Sequence, residues 1–422
     1  MDLIYAEATP PGRGGVSVIR LSGDGARQAA EAYVGPLPVA RMAYLRDLVD
    51  AGEIIDQVLA LRFDAGASFT GEEVVELHLH GAPVVVRRVE DALLRAGARH
   101  ADAGEFTKRA FLNGRMDLSE IEGLGDLLAA ETESQRKLAI RAAGGELAKK
   151  AALWRSLLIE AGALVAVSVD FADEDVPDEV PSRAFELIDE VRLLLQQEVD
   201  GFSAAEQIRK GFEVAIVGPP NAGKSSLLNR LAKRDVAIVS DRAGTTRDVL
   251  ELRTDLKGLA VTFLDTAGLR EATDDDVEVI GIQRARDRAA AADLRIHLSD
   301  SGQTDLGVWY DGDLVVQGRA DLNVIHHKIA ISAVTGTGVQ RLLDQVFEIL
   351  SQRAAGAGLV SHMRQRLEIE QAISDLNIGD DNSAEVVAEA LRQTGVALDR
   401  LIGRIEVEDY LDKIFSSFCI GK

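Results

Sequence analysis

Eight consecutive residues, Gly218, Pro219, Pro220, Asn221, Ala222, Gly223, Lys224 and Ser225, satisfy the spacing G-x-x-x-x-G-K-[ST] without a mismatch. That spacing suits phosphate chemistry. Its glycines let main-chain N–H groups turn toward phosphate oxygens, and the start of a helix adds partial positive charge there. Lys224 supplies a mobile cation, and the hydroxyl of Ser225 can ligate Mg²⁺, with Ser226 next in line. Asp265 closes an apolar run, Leu259 to Leu264, so its carboxylate faces the same phosphates and can hold the metal shell. Thr266, Ala267 and Gly268 follow, and the Gly268 N–H can meet a γ-phosphate. Between these two stretches lies Gly244-Thr245-Thr246-Arg247-Asp248, whose Thr246 can reach the metal when the γ-phosphate is present. This is the layout of a nucleotide-driven switch.

Base reading falls to a later stretch. Guanine-specific loops of this kind carry Asn-Lys-x-Asp after a late strand; here the run Leu314 to Gln317 leads into Gly318, Arg319, Ala320 and Asp321. The carboxylate that accepts from guanine N–H groups is present as Asp321, one hydrogen bond is lost with the asparagine, and the packing on the base is altered. The expectation is guanine preference with weaker affinity. Ser332, Ala333 and Val334, after an expected strand Lys328 to Ile331, form the second base-contact loop. After Asp-Thr-Ala-Gly stands Leu269, where many such enzymes place a water-orienting glutamine. A leucine cannot orient water, so an acid of the segment Arg270 to Glu278 must do so.

Elements that position these residues are legible from periodicity. Phe212 to Val217 reads as a buried strand and Ser226 to Lys233 as an amphipathic helix, which flank the phosphate loop as required. Residues 212 to about 350 read as a doubly wound α/β unit, with strands near Val214, Val236, Leu250, Val261, Leu294, Leu314 and Ile329. Upstream, Val16 to Leu21, Gln57 to Phe63 and Val74 to His80 look like strands and Ala82 to Ala96 like a helix. From Met116 the apolar spacing turns helical, the acidic turn Phe171 to Pro181 interrupts it, and Ser182 to Val199 forms another helix. Helices return from His362, broken at Gly379 to Asn382. The fold class is therefore multidomain α+β and α/β, with the nucleotide unit inserted in a helical bundle whose second part follows it.

Composition bounds the rest. The 422 residues allow several cores, and a net charge of −22 argues against a surface that grips nucleic acid non-specifically. No run of eighteen apolar residues and no basic-then-apolar leader is present, so the expectation is a cytoplasmic protein without a membrane span. One cysteine, Cys419, excludes an internal disulfide.

Taken together, PPGRGG near the N-terminus, GEFTKRAFLNGRMDL from Gly104 to Leu118, PNAGKSSLLN, DTAGLRE and the final Phe418-Cys419-Ile420-Gly421-Lys422 resemble the MnmE (TrmE) family of bacterial tRNA-modification GTPases, over the whole chain. The resemblance implies a folate-binding, dimerising domain over 1–117, a helical domain from 118–208 and 353–422, and an inserted P-loop GTPase domain over 209–352. It implies GTP with Mg²⁺ and K⁺, a formyl-tetrahydrofolate, a homodimer, tRNA as substrate and an FAD-dependent MnmG-type partner. The joint product would be an aminomethyl-type (carboxymethylaminomethyl) group at carbon 5 of the wobble uridine. K⁺ would be held by Asn221 with Ser240, Arg242 and Thr245 from the loop that also contains Asp241 and Ala243. Glu278 stands at the water-activating glutamate, with Glu271 in reserve. Arg20, Glu76, Arg115 and Lys422 fall at folate-contacting positions, the third usually lysine, and Cys419 would lie near the folate with a doubtful chemical role. The G domain alone also fits a ribosome-assembly switch or a dimerising scaffold, and folate binding would separate these from the leading reading.

Overall fold

A computed structural model describes residues 1–170, 180–233, 251–265, 286–301, 304, 306–379 and 382–404. The chain forms two compact units. One comprises 1–125 with 148–153 and the C-terminal stretch from Gly395; the other comprises 126–147 and 154–394.

In the first unit, six strands form one sheet: β1 (Ile4–Glu7), β2 (Ser17–Ser22), β3 (Tyr44–Asp50), β4 (Glu53–Phe63), β5 (Val74–Leu79) and β6 (Arg99–His100). Their order is β3-β4-β5-β2-β1-β6, antiparallel except for the β1–β6 pair. Alternation along β2 sends Ile19 and Leu21 into the core with Leu77 and Leu79 of β5, and α1 (Ala26–Val34) and α2 (Pro83–Arg95) cover that face. Each such fully buried side chain stabilises by about 1.5–3 kcal/mol. The opposite face of the same strands carries the polar residues, Arg20 and Glu76 among them. A short helix α3 (Glu105–Leu112) follows β6.

Long helices come next: α4 (Leu118–Ala129), α5 (Glu133–Ala143), α6 (Glu146–Asp170), α7 (Ser182–Asp200) and α8 (Phe202–Lys210). Thr132 and Gln135 start α5 as a reciprocal capping box, which satisfies two of the helix's otherwise orphaned N–H groups. Gly211 then breaks α8, and β7 (Phe212–Val217) opens a five-stranded sheet with β8 (Glu251–Leu256), β9 (Leu259–Asp265), β10 (Leu294–Ser299) and β11 (Leu314–Gln317). Strand order is β11-β10-β7-β9-β8, parallel except for β8. Between β7 and β8 comes α9 (Lys224–Ala232); α10 (Val339–Ala354), α11 (Met363–Asp375) and α12 (Ala384–Leu401) follow the sheet. Helix α11 packs on α7, so the segment after the sheet returns to the helices before it.

The neck between helices and sheet is closely bonded. The Asp293 carboxylate accepts from Gln207 Nε2 at 2.7 Å and from the Glu213 N–H at 2.7 Å, while Arg353 donates to the Asp293 carbonyl. Leu359 N–H donates to Glu198 Oε2 at 3.0 Å. A second joint lies at the β8–β9 turn, where Ser134 N–H of α5 donates to the Gly258 carbonyl at 3.1 Å and Arg253 pairs with Glu131 at 2.6 Å.

The expected strand Phe212 to Val217 is observed with those bounds, and Leu314 to Gln317 likewise. Two expectations need correction. The helix after the phosphate loop begins at Lys224, not Ser226, so Lys224 and Ser225 occupy its first turn. Lys328 to Ile331 is no strand: only Gln317 and Ala330 form a bridge. The Gln317 side chain explains this, because its amide bonds the Val324 carbonyl and the His326 and His327 N–H groups, pinning the preceding loop short of a ladder. The strand expected near Leu250 is β8, which begins at Glu251, and the one expected near Val236 falls outside the described residues.

Candidate functional site

At the carboxyl ends of β7, β10 and β11 opens a cleft of about 760 Å³, the position where parallel α/β sheets bind ligands. One wall is the phosphate loop, Asn221 to Ser226; the other is built from Gly318, Arg319, Asp321, Ala333 and Val334. Residues about 100 apart in sequence thus face one volume. Gly218 allows the loop to leave β7 as it does: its φ is +152°, and a Cβ there would come within 2.0 Å of the Leu298 carbonyl oxygen. Asn221 adopts a left-handed φ of 61°, which asparagine tolerates better than most side chains.

Lys224 is buried, and its Nζ donates to the carbonyls of Gly218 (2.8 Å) and Pro219 (2.9 Å). The ammonium is therefore held inside the loop's own curve. Ser225 Oγ donates to Asp265 Oδ2 at 2.5 Å, with the carboxylate almost fully buried at the end of β9. A hydroxyl and a buried carboxylate in contact form a hard-oxygen pair suited to Mg²⁺, through Ser225 directly and Asp265 at the metal's water. Asp321, exposed on the rim, lies beside Leu322 and opposite Val334. Ser332 differs from its neighbours: it is fully buried, its Oγ accepts the Thr335 N–H at 3.1 Å, and it does not line the cleft.

On the first unit's sheet, Arg20 and Glu76 are register partners on β2 and β5, joined by two contacts of 3.0 and 2.9 Å. The guanidinium carbon lies 5.7 Å from the ring centres of both Phe69 and Phe106. His78 lies on the same face with Nε2 3.6 Å from Glu76 Oε2. The loop carrying Phe69 is fastened by Ser22 to Thr70 and by Asn113 to the Thr70 carbonyl, both at 2.7 Å. Arg115 stands exposed over this loop, its Cγ 3.1 Å from where a Cβ on Gly71 would be. A cation, a carboxylate and the exposed Phe69 ring, with the buried Phe106 ring behind the guanidinium, can hold a flat aromatic ligand that has N–H donors and acidic groups.

Two family models match: "GTP-binding protein TrmE N-terminus" over residues 3–115 and "MnmE helical domain" over 118–419. A protein called tRNA modification GTPase MnmE from Paracoccus denitrificans is 58% identical over all 422 residues, covering 100% of both chains. The chain belongs to the MnmE family. A second MnmE, from Dinoroseobacter shibae, is 50% identical and also covers 100% of both chains. Among solved structures, the G domain of the T. maritima FeoB iron transporter matches 32% of this chain and 97% of its own at 23% identity, with a TM-score of 0.24. The P-loop fold here rests on strand order and loop geometry instead.

Of the residues picked out by MnmE-type motifs, the structure brings together Asn221 to Ser226, Asp265, Asp321, Ala333 and Val334, and separately Arg20 with Glu76. Ser240 to Thr246, Thr266 to Gly268, Glu271, Glu278, Cys419 and Lys422 lie outside the described residues. Motif reading passed over Asp300, which follows β10 and bonds Arg319, and Arg230 of α9, which donates to the Val334 and Thr335 carbonyls. An acid just past a parallel strand was the available signal for Asp300; nothing in the sequence marks Arg230.

Proposed function

We propose that this protein is a GTP-hydrolysing enzyme of tRNA modification that builds the carboxymethylaminomethyl-type group at carbon 5 of the wobble uridine with an FAD-dependent MnmG-type partner. The observation that supports it best is the single cleft shared by the phosphate loop and Asp321, in a chain matched end to end by proteins named tRNA modification GTPase. In this reading the four parts are 1–117, 118–208, 209–352 and 353–422, and the protein works as a cytoplasmic homodimer. Main-chain N–H groups and Lys224 bind the β- and γ-phosphates, Ser225 and Asp265 with Thr246 hold Mg²⁺, and Asp321 with the Ala333 main chain reads the base. Lys224 must exchange its two carbonyl acceptors for phosphate oxygens, which keeps the ammonium hydrogen-bonded throughout. Asn221, with Ser240, Arg242 and Thr245, would hold K⁺, and that cation would supply positive charge beside the phosphoryl group being transferred. Glu278 orients the attacking water. Arg20, Glu76 and Arg115, with Lys422, bind a formyl-tetrahydrofolate as one-carbon source; the group supplies a carbon at the formate level, and these residues only orient it. Cys419 is assigned no step.

Steady-state hydrolysis of GTP and ATP in KCl and in NaCl at equal ionic strength tests this. GTP-selective turnover that rises strongly in K⁺ is expected. Equal turnover of the two nucleotides, or no K⁺ effect, overturns the base-reading and cation assignments respectively.

A further inference from the structure

The base-reading loop departs from its usual Asn-Lys-x-Asp at two adjacent positions, and the structure ties the two departures together. At Gly318 a side chain would start in a tight place. A Cβ there would come within 3.1 Å of the Ala222 carbonyl oxygen and 3.4 Å of Leu298, so the phosphate loop lies close against this position. Gly318 N–H donates to the Ser299 carbonyl at 2.8 Å, which sets the base loop tightly against the end of β10. Arg319 then turns with a left-handed φ of 51°, and its guanidinium reaches the loops after the neighbouring strands. Nη1 donates to Asp300 Oδ2 at 3.0 Å and Nη2 donates to the Asn221 carbonyl. Arg319, Asn221 and Ala222 stand between the 760 Å³ cleft and a second one of about 550 Å³ behind the phosphate loop, which Asp300 also lines.

We propose that Arg319 and Asp300 form a clamp that replaces the missing asparagine. One planar fork joins the loops that follow three adjacent parallel strands, β7, β10 and β11, and thereby fixes the distance between the phosphate loop and the base-reading carboxylate of Asp321. A lysine could not do this: an ammonium on a flexible stem has no fixed fork with which to hold two acceptors in set directions. With no side chain at Gly318, the tie to the phosphate loop runs one residue later and through a third loop. Arg319 and Asp300 are positioning residues for guanine discrimination. The clamp holds the Asn221 main chain in its left-handed turn as well, so the same pair sets where the Asn221 side chain points. This inference rests on the assignment of Asp321 as the base reader.

The test is calorimetric titration of the full-length protein with GDP and with IDP, which lacks the 2-amino group that Asp321 would accept. The unaltered protein is expected to prefer GDP; if it does not, the base-reader assignment fails, and with it the premise of the clamp. Given that preference, Arg319→Ala is expected to lower the GDP-to-IDP affinity ratio at least fivefold, and Asp300→Ala to lower it in the same direction by less. The double variant should lose no more than Arg319→Ala alone, because each residue acts through the other. Equal weakening toward GDP and IDP, with the ratio unchanged, would assign Arg319 a purely structural role and overturn the clamp. Should Arg319→Ala not fold, Arg319→Lys keeps the charge and is expected to lose part of the ratio; full retention of the ratio by lysine overturns the proposal equally.

Discussion

The nucleotide cleft and the N-terminal sheet face hold their charges by opposite means. In the cleft, recognition is carried by main-chain geometry: Lys224 is satisfied by the carbonyls of Gly218 and Pro219, within its own loop. On the sheet, Arg20 is satisfied by Glu76 across the β2–β5 pair, 56 residues away in sequence. A loop that is its own partner can keep a cation buried and still release it to an arriving phosphate. A cross-strand ion pair is a part of the sheet, and a ligand must share it without breaking it. The contrast predicts that damage in the cleft appears in ligand affinity with little change in stability, whereas damage on the sheet appears in both.

The largest effect should come from Lys224→Ala, which removes the cation without disturbing the sheet beneath. GTP affinity is expected to fall about 100-fold or more, equivalent to about 2.7 kcal/mol, with the melting temperature nearly unchanged. A calorimetric titration showing normal affinity would sink the loop assignment. Glu278→Ala should cut turnover by one to two orders of magnitude, about the contribution of one positioned proton-transfer or water-orienting group, while leaving GTP binding intact. Turnover that survives this change shifts the role to Glu271. Glu76→Ala removes the carboxylate partner of the half-buried Arg20 and is expected to cost about 1–3 kcal/mol in denaturant unfolding, together with loss of folate binding. If stability alone fell and binding of formyl-tetrahydrofolate persisted, the sheet face would be a structural ion pair and the contrast would lose one side.

The smallest effect lies at the edge of the same unit, where Asp2, Arg99, Glu105 and Arg109 interlock. Burial pushes the Glu105 carboxyl up, but the Arg99 bond, the Asp102 N–H and Arg109 outweigh it and hold the group below the usual carboxylate range. Because the folded state lowers this pKa, its stabilisation is present above the unfolded value and disappears as pH falls through the folded one. Glu105→Gln should therefore cost under about 1 kcal/mol at neutral pH, and the difference from the unaltered protein should vanish in acid. A cost that grew on acidification would contradict the pairing.

The same contrast explains what the sequence reveals. A phosphate loop is local, so eight adjacent residues and two flanking periodic runs disclosed it, down to the bounds of β7. Asp265 was readable because it ends an apolar run. The folate-type face was not readable from spacing, since Arg20 and Glu76 become neighbours only through strand register; family resemblance supplied them. Strands β1 and β3 went unread for a similar reason: β1 is four residues long and β3 has an edge position with exposed Leu45 and Val49, so neither shows a full alternation. Lys328 to Ile331 stops at one bridge because the side chain of the buried Gln317 ties Val324, His326 and His327 into a loop just before it. Propensity does not see such a competitor.

The joint between Ser134 and Gly258 gives β9 a mechanical meaning. The strand begins at Leu259, next to that joint, and ends at Asp265 beside the phosphate loop. Seven extended residues at about 3.3 Å each make a rod of roughly 20 Å. Paired on both sides by β7 and β8, it is held in register along its length. The carboxylate that meets Ser225 and the turn that meets Ser134 thus stand at the two ends of one strand, so the phosphate side and α5 share a single element.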